Sequence, residues 1–112
     1  MPRFIIKLPT PIGDRYLEWS SIVDAPITYG LTLEEFTDYY RSEYGDQGMR
    51  DLPDRMARVE ATGTSERNSK SVAETVCCGA MSVAELTAYA GMTGKERRAY
   101  HDKHGRTEEH RP

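Results

Sequence analysis

The residues of this sequence best suited to chemistry are two cysteines and two histidines in its C-terminal third. Cys77 and Cys78 are adjacent, and His101 and His104 are separated by two residues. Thiolate and imidazole groups are common zinc ligands, but zinc-binding cysteines are usually separated by two or more residues. Adjacent cysteines pair only in a strained ring, so no disulfide framework is indicated. We therefore predict no metal site and no cofactor.

Other catalytic patterns are incomplete as well. The run HDKHGR (101–106) is similar to the histidine-rich end of an HNH nuclease, but such an enzyme needs more metal ligands than lie nearby. Four carboxylates lie close together in sequence, and two of them fall in the first turn of a predicted helix, where the helix dipole explains them: Asp24, Glu34, Glu35 and Asp38. No glycine-rich phosphate-binding loop is present. We therefore predict no catalytic residues and a protein that is not an enzyme.

Charge is unevenly distributed along the 112 residues. Residues 1–93 contain 9 Lys and Arg against 14 Asp and Glu, whereas residues 94–112 contain 6 against 4. An acidic body repels a phosphate backbone, so DNA binding would depend on the basic C-terminal end. Hydrophobic residues make up 38% of the chain and the mean hydropathy is −0.70, which favours one small, well-solvated domain. No long apolar run or leader pattern is present, so we expect no membrane association and a cytoplasmic location.

The first quarter of the sequence predicts a β-hairpin. RFIIKL (3–8) is rich in strand-forming residues, PTPIGD (9–14) has turn chemistry, and RYLEWSSIVDAPIT (15–28) is a second extended run. Alternation in the second run predicts one half-buried face that carries Leu17 and Trp19. Pro26 cannot donate a backbone hydrogen bond, so we place it at a strand edge, a bulge or the strand exit.

A helix is predicted to follow, from Leu33 to Tyr44. Thr32 and Glu35 form a capping box, and Leu31 and Phe36 form the hydrophobic staple that fixes how the chain enters the helix. The predicted inner face packs on the hairpin and contains four residues: Leu33, Phe36, Tyr40 and Tyr44.

Gly45 is predicted to end this first helix in a left-handed conformation. A second helix would start near Asp51, with Pro53 in its first turn, and would end at Gly63. Its predicted inner face contains Leu52, Met56 and Val59.

The remaining sequence predicts a linker and short helices. Residues 61–70 are polar and suggest a flexible linker or loop. Ser/Thr-x-x-Glu patterns then occur three times, at 71–74, 82–85 and 93–96, and each predicts a helix start. The three helices would end at Gly79, Gly91 and Gly105.

These elements predict an α+β fold, with an N-terminal β-hairpin packed on helices and a helical C-terminal region. We expect one domain over residues 1–112. Within it, residues 1–60 would form a ββα-type core, 61–70 the linker or loop, and 71–112 a helical segment with a basic tail.

Residues 82–105, SVAELTAYAGMTGKERRAYHDKHG, resemble a helix-turn-helix. Gly91 lies at the turn, and Leu86, Ala90 and Met92 lie at its inward positions. Arg97 falls near a position that this motif normally keeps apolar, and a solvated helical hairpin is the alternative interpretation. If the segment bound DNA, the contacts would come from five basic residues: Lys95, Arg97, Arg98, Lys103 and Arg106.

The stretch YLEWSSIVDAPITYGLTLEEFTDYYRSEYG (16–45), followed by GMRDLP (48–53), resembles a family of small proteins of unassigned function from phages of mycobacteria and their relatives. The resemblance covers roughly residues 3–62 and implies a phage protein in the cytoplasm of a host cell. The family carries over no catalytic residues, and residues 77–112 do not match its C-terminal part. APITYGLTLEEF (25–36) is also similar to part of HicB-type antitoxins, which implies a link to DNA-binding regulators.

The sequence has clear local signals for its helices and turns but no cluster of catalytic residues. This combination favours a non-enzymatic accessory protein that binds another protein, either a host factor or a phage component. Exposed aromatic residues supply large contact areas, so we expect Trp19 and Tyr39 to contact the partner. The alternative is a DNA-binding regulator, antitoxin- or repressor-like, that uses residues 82–106. A homo-oligomer is also compatible with the sequence.

Overall fold

Three antiparallel strands lie at the centre of the fold, in the order β1-β2-β3. The computed structural model describes residues 3–77, 79 and 81–104, with the backbone alone for residues 101–104. Strand β1 (Arg3–Thr10) and strand β2 (Gly13–Ser20) form the predicted hairpin, with Ile6 opposite Leu17. The short strand β3 (Ala25–Pro26) pairs with the end of β2. The hairpin prediction is confirmed, and the second extended run is divided by a turn at residues 21–24.

The chain after β3 continues along β2 as an irregular edge. Ile27 N donates to Glu18 O at 2.7 Å, and Leu31 exchanges two backbone hydrogen bonds with Tyr16. Between these points the Thr28 hydroxyl accepts from Glu18 N at 3.1 Å, so a side chain replaces a backbone carbonyl. The edge of β2 is therefore hydrogen-bonded along most of its length.

The outer edge of β1 is covered by residues 63–65. Lys7 N donates to Gly63 O and Ser65 N donates to Ile5 O, both at 2.9 Å. Thr64 and Ser65 are buried. This part of the segment predicted as a flexible linker or loop is a packed loop that covers the sheet edge.

Helix α1 (Leu33–Thr62) begins at the predicted capping box. Glu35 N donates to Thr32 Oγ1 at 3.2 Å and Thr32 N donates to Glu35 Oε1 at 3.0 Å, which confirms that helix start. Gly45 has φ 66° and ψ −156°, outside helical geometry, so it divides α1 into two helical segments, and the predicted end of the first segment at a glycine of positive φ is confirmed. Helical structure resumes directly after the kink, so the predicted second start near Asp51 is wrong.

Pro53 consequently lies inside α1 and not in a first turn. The predicted end of α1 is confirmed, because Gly63 is left-handed at φ 88° and its N–H donates to Val59 O. Leu33 is predicted on the inner face, but this first helical residue is 49% exposed, so that prediction is wrong.

Both faces of the sheet are buried because helices pack on both sides. The α1 side holds one apolar cluster: Ile5, Tyr16, Phe36, Tyr40, Leu52 and Val59. The opposite side holds a second cluster: Ile6, Leu8, Leu17, Trp19, Val76, Leu86 and Ala90. The buried face predicted for β2, with Leu17 and Trp19, is therefore only one of two buried faces. The other face of β2 is covered by α1.

The C-terminal region contains three short helices, α2 (Val72–Thr75), α3 (Val83–Ala90) and α4 (Gly94–His104). Full capping boxes begin α3, at Ser82 and Glu85, and α4, at Thr93 and Glu96. Helix α2 ends after one turn, well before the predicted Gly79. The turn at Gly91 ends α3 as predicted but with φ −89°, and Gly105 lies outside the described residues.

Candidate binding groove

An open groove of about 720 Å³ lies between the second half of α1 and the loop at residues 65–68. Three aromatic side chains line its base, Phe4 from β1 and Tyr40 and Tyr44 from α1. Gly48 also lines the groove, and a Cβ atom there would collide with Tyr44 Cβ. Glycine at position 48 therefore lets the helix after the kink pass close to the tyrosines.

Six charged side chains surround this aromatic base, and we call them the rim charges. Three are acidic and three are basic: Asp51, Asp54 and Glu66, and Arg55, Arg58 and Arg67. Within the described residues, none of the six has an oppositely charged group within 4.0 Å. The rim therefore offers both charge signs to a bound molecule.

Two of the rim arginines are held in place by groups that carry no net charge. Arg55 Nη1 donates to Tyr40 Oη and Arg55 Nη2 to Arg3 O, each at 2.6 Å. Arg58 Nε donates to Ser65 O at 2.8 Å. These hydrogen bonds join α1, β1 and the 65–68 loop, so the arginines hold the wall of the groove together.

Beneath the groove, the carboxylate of Glu18 is completely buried on the α1 side of β2. Tyr39 Oη donates to Glu18 Oε1 at 2.5 Å and Tyr44 Oη donates to Glu18 Oε2 at 2.6 Å. Arg3 Nη1 lies 3.9 Å from Glu18 Oε1 and donates to Tyr44 Oη at 3.3 Å. A buried charge needs such partners, because burial removes its hydration.

The two tyrosines keep their protons strongly. Burial, together with the hydrogen bond to the Glu18 carboxylate, raises the pKa of Tyr44 to about 12. The same causes raise the pKa of Tyr39 far above its usual range. Both hydroxyls are therefore neutral donors at physiological pH and are poorly suited to act as bases.

The two residues predicted to contact a partner are not exposed aromatics. Trp19 has no exposed surface, because it packs in the cluster on the α3 side and lies against Gly79. Tyr39 is half-buried and its hydroxyl is bonded to Glu18. The expectation that these rings are exposed is wrong, since both faces of the sheet are covered. Their part in partner binding stays a prediction. Direct contact of a partner with Trp19 would require the residues packed over its ring to move away.

The basic residues predicted for DNA binding have different surroundings. Lys95 and Arg98 are exposed on α4. The Arg97 guanidinium instead lies 4.0 Å from the centre of the Tyr29 ring and donates from Nη1 to Met92 O at 2.9 Å. Arg97 differs from Lys95 and Arg98 because its side chain is partly buried and turned toward Tyr29. The side chains of Lys103 and Arg106 lie outside the described residues.

The potential zinc ligands cannot be assembled from the described side chains. Cys77 is exposed, Cys78 lies outside the described residues, and His101 and His104 are described by their backbone alone. No group of three or more potential metal ligands occurs in the described part of the chain.

The sequence indicates Tyr40 and Tyr44 only as inner-face residues of a helix and does not indicate a groove. The charged residues Arg55, Arg58 and Glu66 belong to no motif. Their only sequence signal is the density of alternating charge between residues 50 and 67. That pattern is typical of any solvated helix face, so it does not predict a site.

Comparisons with known proteins give no match: no family model fits the chain, and no curated protein or solved structure is similar to it. Within the described residues, no helix combines the length and apolar character needed to cross a bilayer. The case for function therefore rests on the groove and its charges.

Proposed function

We propose that this chain acts by non-enzymatic binding to another protein and that the groove on α1 receives a segment of that partner. The partner would be a host factor or another phage component, in keeping with the resemblance to small mycobacteriophage proteins. The site of action would be the cytoplasm of the host cell.

The observation that supports this proposal is the combination of an aromatic base with six rim charges that form no ion pairs among the described residues. Aromatic side chains supply contact area with little loss of rotamer freedom, and charged groups around them fix orientation and partner choice. A volume of about 720 Å³ falls in the range of sites that enclose a drug-sized molecule, so the groove has room for a few side chains of a partner segment.

The chemistry of the groove favours binding over catalysis. Tyr44 is one of the two tyrosines at its base, and its hydroxyl already donates to Glu18. A pKa raised to about 12 keeps Tyr44 neutral, so it does not serve as a general base near pH 7.

Site-specific crosslinking tests the proposal. A photoreactive residue placed at Asn68, on the groove, should crosslink one polypeptide from infected host cells, and the purified polypeptide should crosslink in the same way. The matched control is Ala88, which is exposed on α3 on the other side of the sheet. Arg67→Glu should abolish the Asn68 crosslink, whereas Arg98→Glu on α4 should leave it intact. Equal crosslinking from both positions, or none from Asn68, would contradict the proposal.

A further inference from the structure

The rim of the groove contains an acidic group that lacks a hydrogen-bond donor. Glu66 Oε1 is buried and accepts no hydrogen bond within the described part of the chain. An unpartnered buried carboxylate oxygen is unfavourable, because it has lost water without gaining a replacement. Rotation of the side chain toward a donor in the groove would relieve this cost. A ligand with a cationic donor therefore offers Glu66 the partner that it lacks.

The same rim contains cationic donors that have no carboxylate of a described residue within 4.0 Å. Arg58 uses Nε for Ser65 O, and neither of its terminal nitrogens lies within 4.0 Å of a described carboxylate. Arg67 is exposed and forms no ion pair with a described residue. Guanidinium groups bind carboxylates through paired hydrogen bonds, so this side of the groove suits an acidic group. Among the described residues, the rim thus contains both an acceptor that lacks a donor, Glu66, and donors that lack an anionic acceptor, Arg58 and Arg67.

We infer that the groove selects a polypeptide segment in which a basic residue and an acidic residue are neighbours. The basic side chain is received by Glu66, with Asp51 and Asp54 on the same rim, and its aliphatic stem lies over Tyr44. The acidic side chain is received by Arg58 and Arg67. This inference rests on the proposed function and names the chemistry of the partner at that site. A segment with one sign of charge would satisfy only half of the rim.

Binding of blocked fluorescent peptides to the full-length chain tests the inference. The probes share the frame acetyl-Gly-Ser-X-Z-Ser-Gly-amide, and X-Z is Arg-Asp, citrulline-Asp, Arg-Asn or Gln-Asn. Citrulline keeps the shape of arginine and removes its charge. We expect Arg-Asp to bind about tenfold more tightly than either singly charged probe, since a hydrogen bond to a charged group has this effect. Equal affinities for the four probes, or tightest binding by an uncharged or singly charged probe, would overturn the inference.

Variants of the protein test which of its residues binds each charged side chain of the peptide. Glu66→Gln should remove the advantage of arginine over citrulline and leave the advantage of Asp over Asn, and Arg67→Gln should do the reverse. Arg67 is exposed and Glu66 is half-buried, and neither side chain forms a hydrogen bond to another described residue, so both variants should fold. If neither variant changes the peptide preference, the inference fails. The crosslink from Asn68 to a partner polypeptide is measured separately, so a failed peptide preference with an intact crosslink leaves the proposed function standing.

Discussion

Glu18 lies at a completely buried position of β2, where hydrogen bonds to its carboxylate replace those of water. Two tyrosine hydroxyls donate to its two oxygens, and Arg3 lies nearby as the compensating cation. Loss of a donor to a buried carboxylate is costly, because the oxygen is left without a replacement for water. The stability of the sheet–α1 interface should therefore depend on Tyr39 and Tyr44 as hydrogen-bond donors and not only as rings.

Tyr39→Phe and Tyr44→Phe should each lower the free energy of unfolding by about 1–3 kcal/mol, because each removes one donor to Glu18 and keeps the ring. Denaturant unfolding of the purified variants measures this. Tyr16→Phe is the matched control, since the Tyr16 hydroxyl donates to the exposed Glu60 carboxylate at 3.2 Å and its loss should have a smaller effect. Equal losses of unfolding free energy in all three variants would show that any tyrosine hydroxyl contributes equally and that burial of the Glu18 carboxylate adds nothing.

The raised pKa of Tyr44 predicts a loss of stability at high pH. The folded protein holds this proton more tightly than the unfolded chain, whose tyrosines titrate near their ordinary value of about 10. The contribution is therefore complete below pH 10 and is lost as the pH rises toward about 12. Unfolding free energies of the chain should fall more steeply than those of Tyr44→Phe across this window. Parallel curves would exclude Tyr44 as a source of the alkaline transition.

At the scale of the elements, the kink in α1 depends on a backbone conformation that suits glycine. Gly45→Ala should destabilise the fold by about 1–3 kcal/mol, because φ 66° with ψ −156° is strained for any residue with a Cβ. Nothing lies within 4 Å of the added methyl group, so the effect is conformational and not steric. Thermal unfolding measures it. Gly94→Ala, at the start of α4 and without a tight contact, should leave the midpoint unchanged or raise it slightly.

The entry into α1 is tested by a pair of aspartate substitutions. Leu31→Asp should cost about 1–3 kcal/mol, because it places a charge beside the cluster that contains Phe36. Leu33→Asp is the matched control: Leu33 is 49% exposed and begins the helix, where a negative charge is favourable. Equal midpoints for the two variants in differential scanning calorimetry would contradict the role of Leu31 as a staple.

Element starts could be predicted from the sequence because capping is local. Thr32, Ser82 and Thr93 each meet a glutamate three residues later, and the capping bonds need no other part of the chain. Element ends were less predictable. Gly45 has the positive φ that the sequence indicates, but a new helical segment follows it at once and places Leu52 and Val59 in the cluster on the sheet.

At the scale of the whole molecule, the groove and the Glu18 cluster could not be predicted because their residues meet only after folding. Glu18 is bonded by residues 21 and 26 positions away, and Arg55 reaches the backbone of Arg3 across 52 positions. The alternation in β2 was interpreted as one buried face. That face is buried, but a second helical layer buries the other face as well, and no local pattern in the strand indicates how many layers will cover it.

The distribution of charge over the whole molecule predicts weak interaction with nucleic acid. Residues 1–93 hold 9 basic against 14 acidic residues, and Arg97, one of the five basic candidates, is engaged with Tyr29 and Met92. Arg97→Ala should therefore lower unfolding stability by about 1–2 kcal/mol, because it removes a cation–π contact and a hydrogen bond. Arg98→Ala, one residue away and exposed, should leave stability unchanged.

The same two variants discriminate between protein binding and DNA binding. A labelled duplex should not bind the chain at physiological salt, because the acidic body opposes the phosphate backbone. If α4 did bind DNA, Arg98→Ala would lower the slope of log affinity against log salt by about 1, since one phosphate contact would be lost. Arg97→Ala would change that slope little, because its guanidinium is turned toward Tyr29. Nanomolar duplex binding that weakens steeply with salt and responds to Arg98→Ala, with no crosslink from Asn68, would replace the protein-binding proposal with the DNA-binding one.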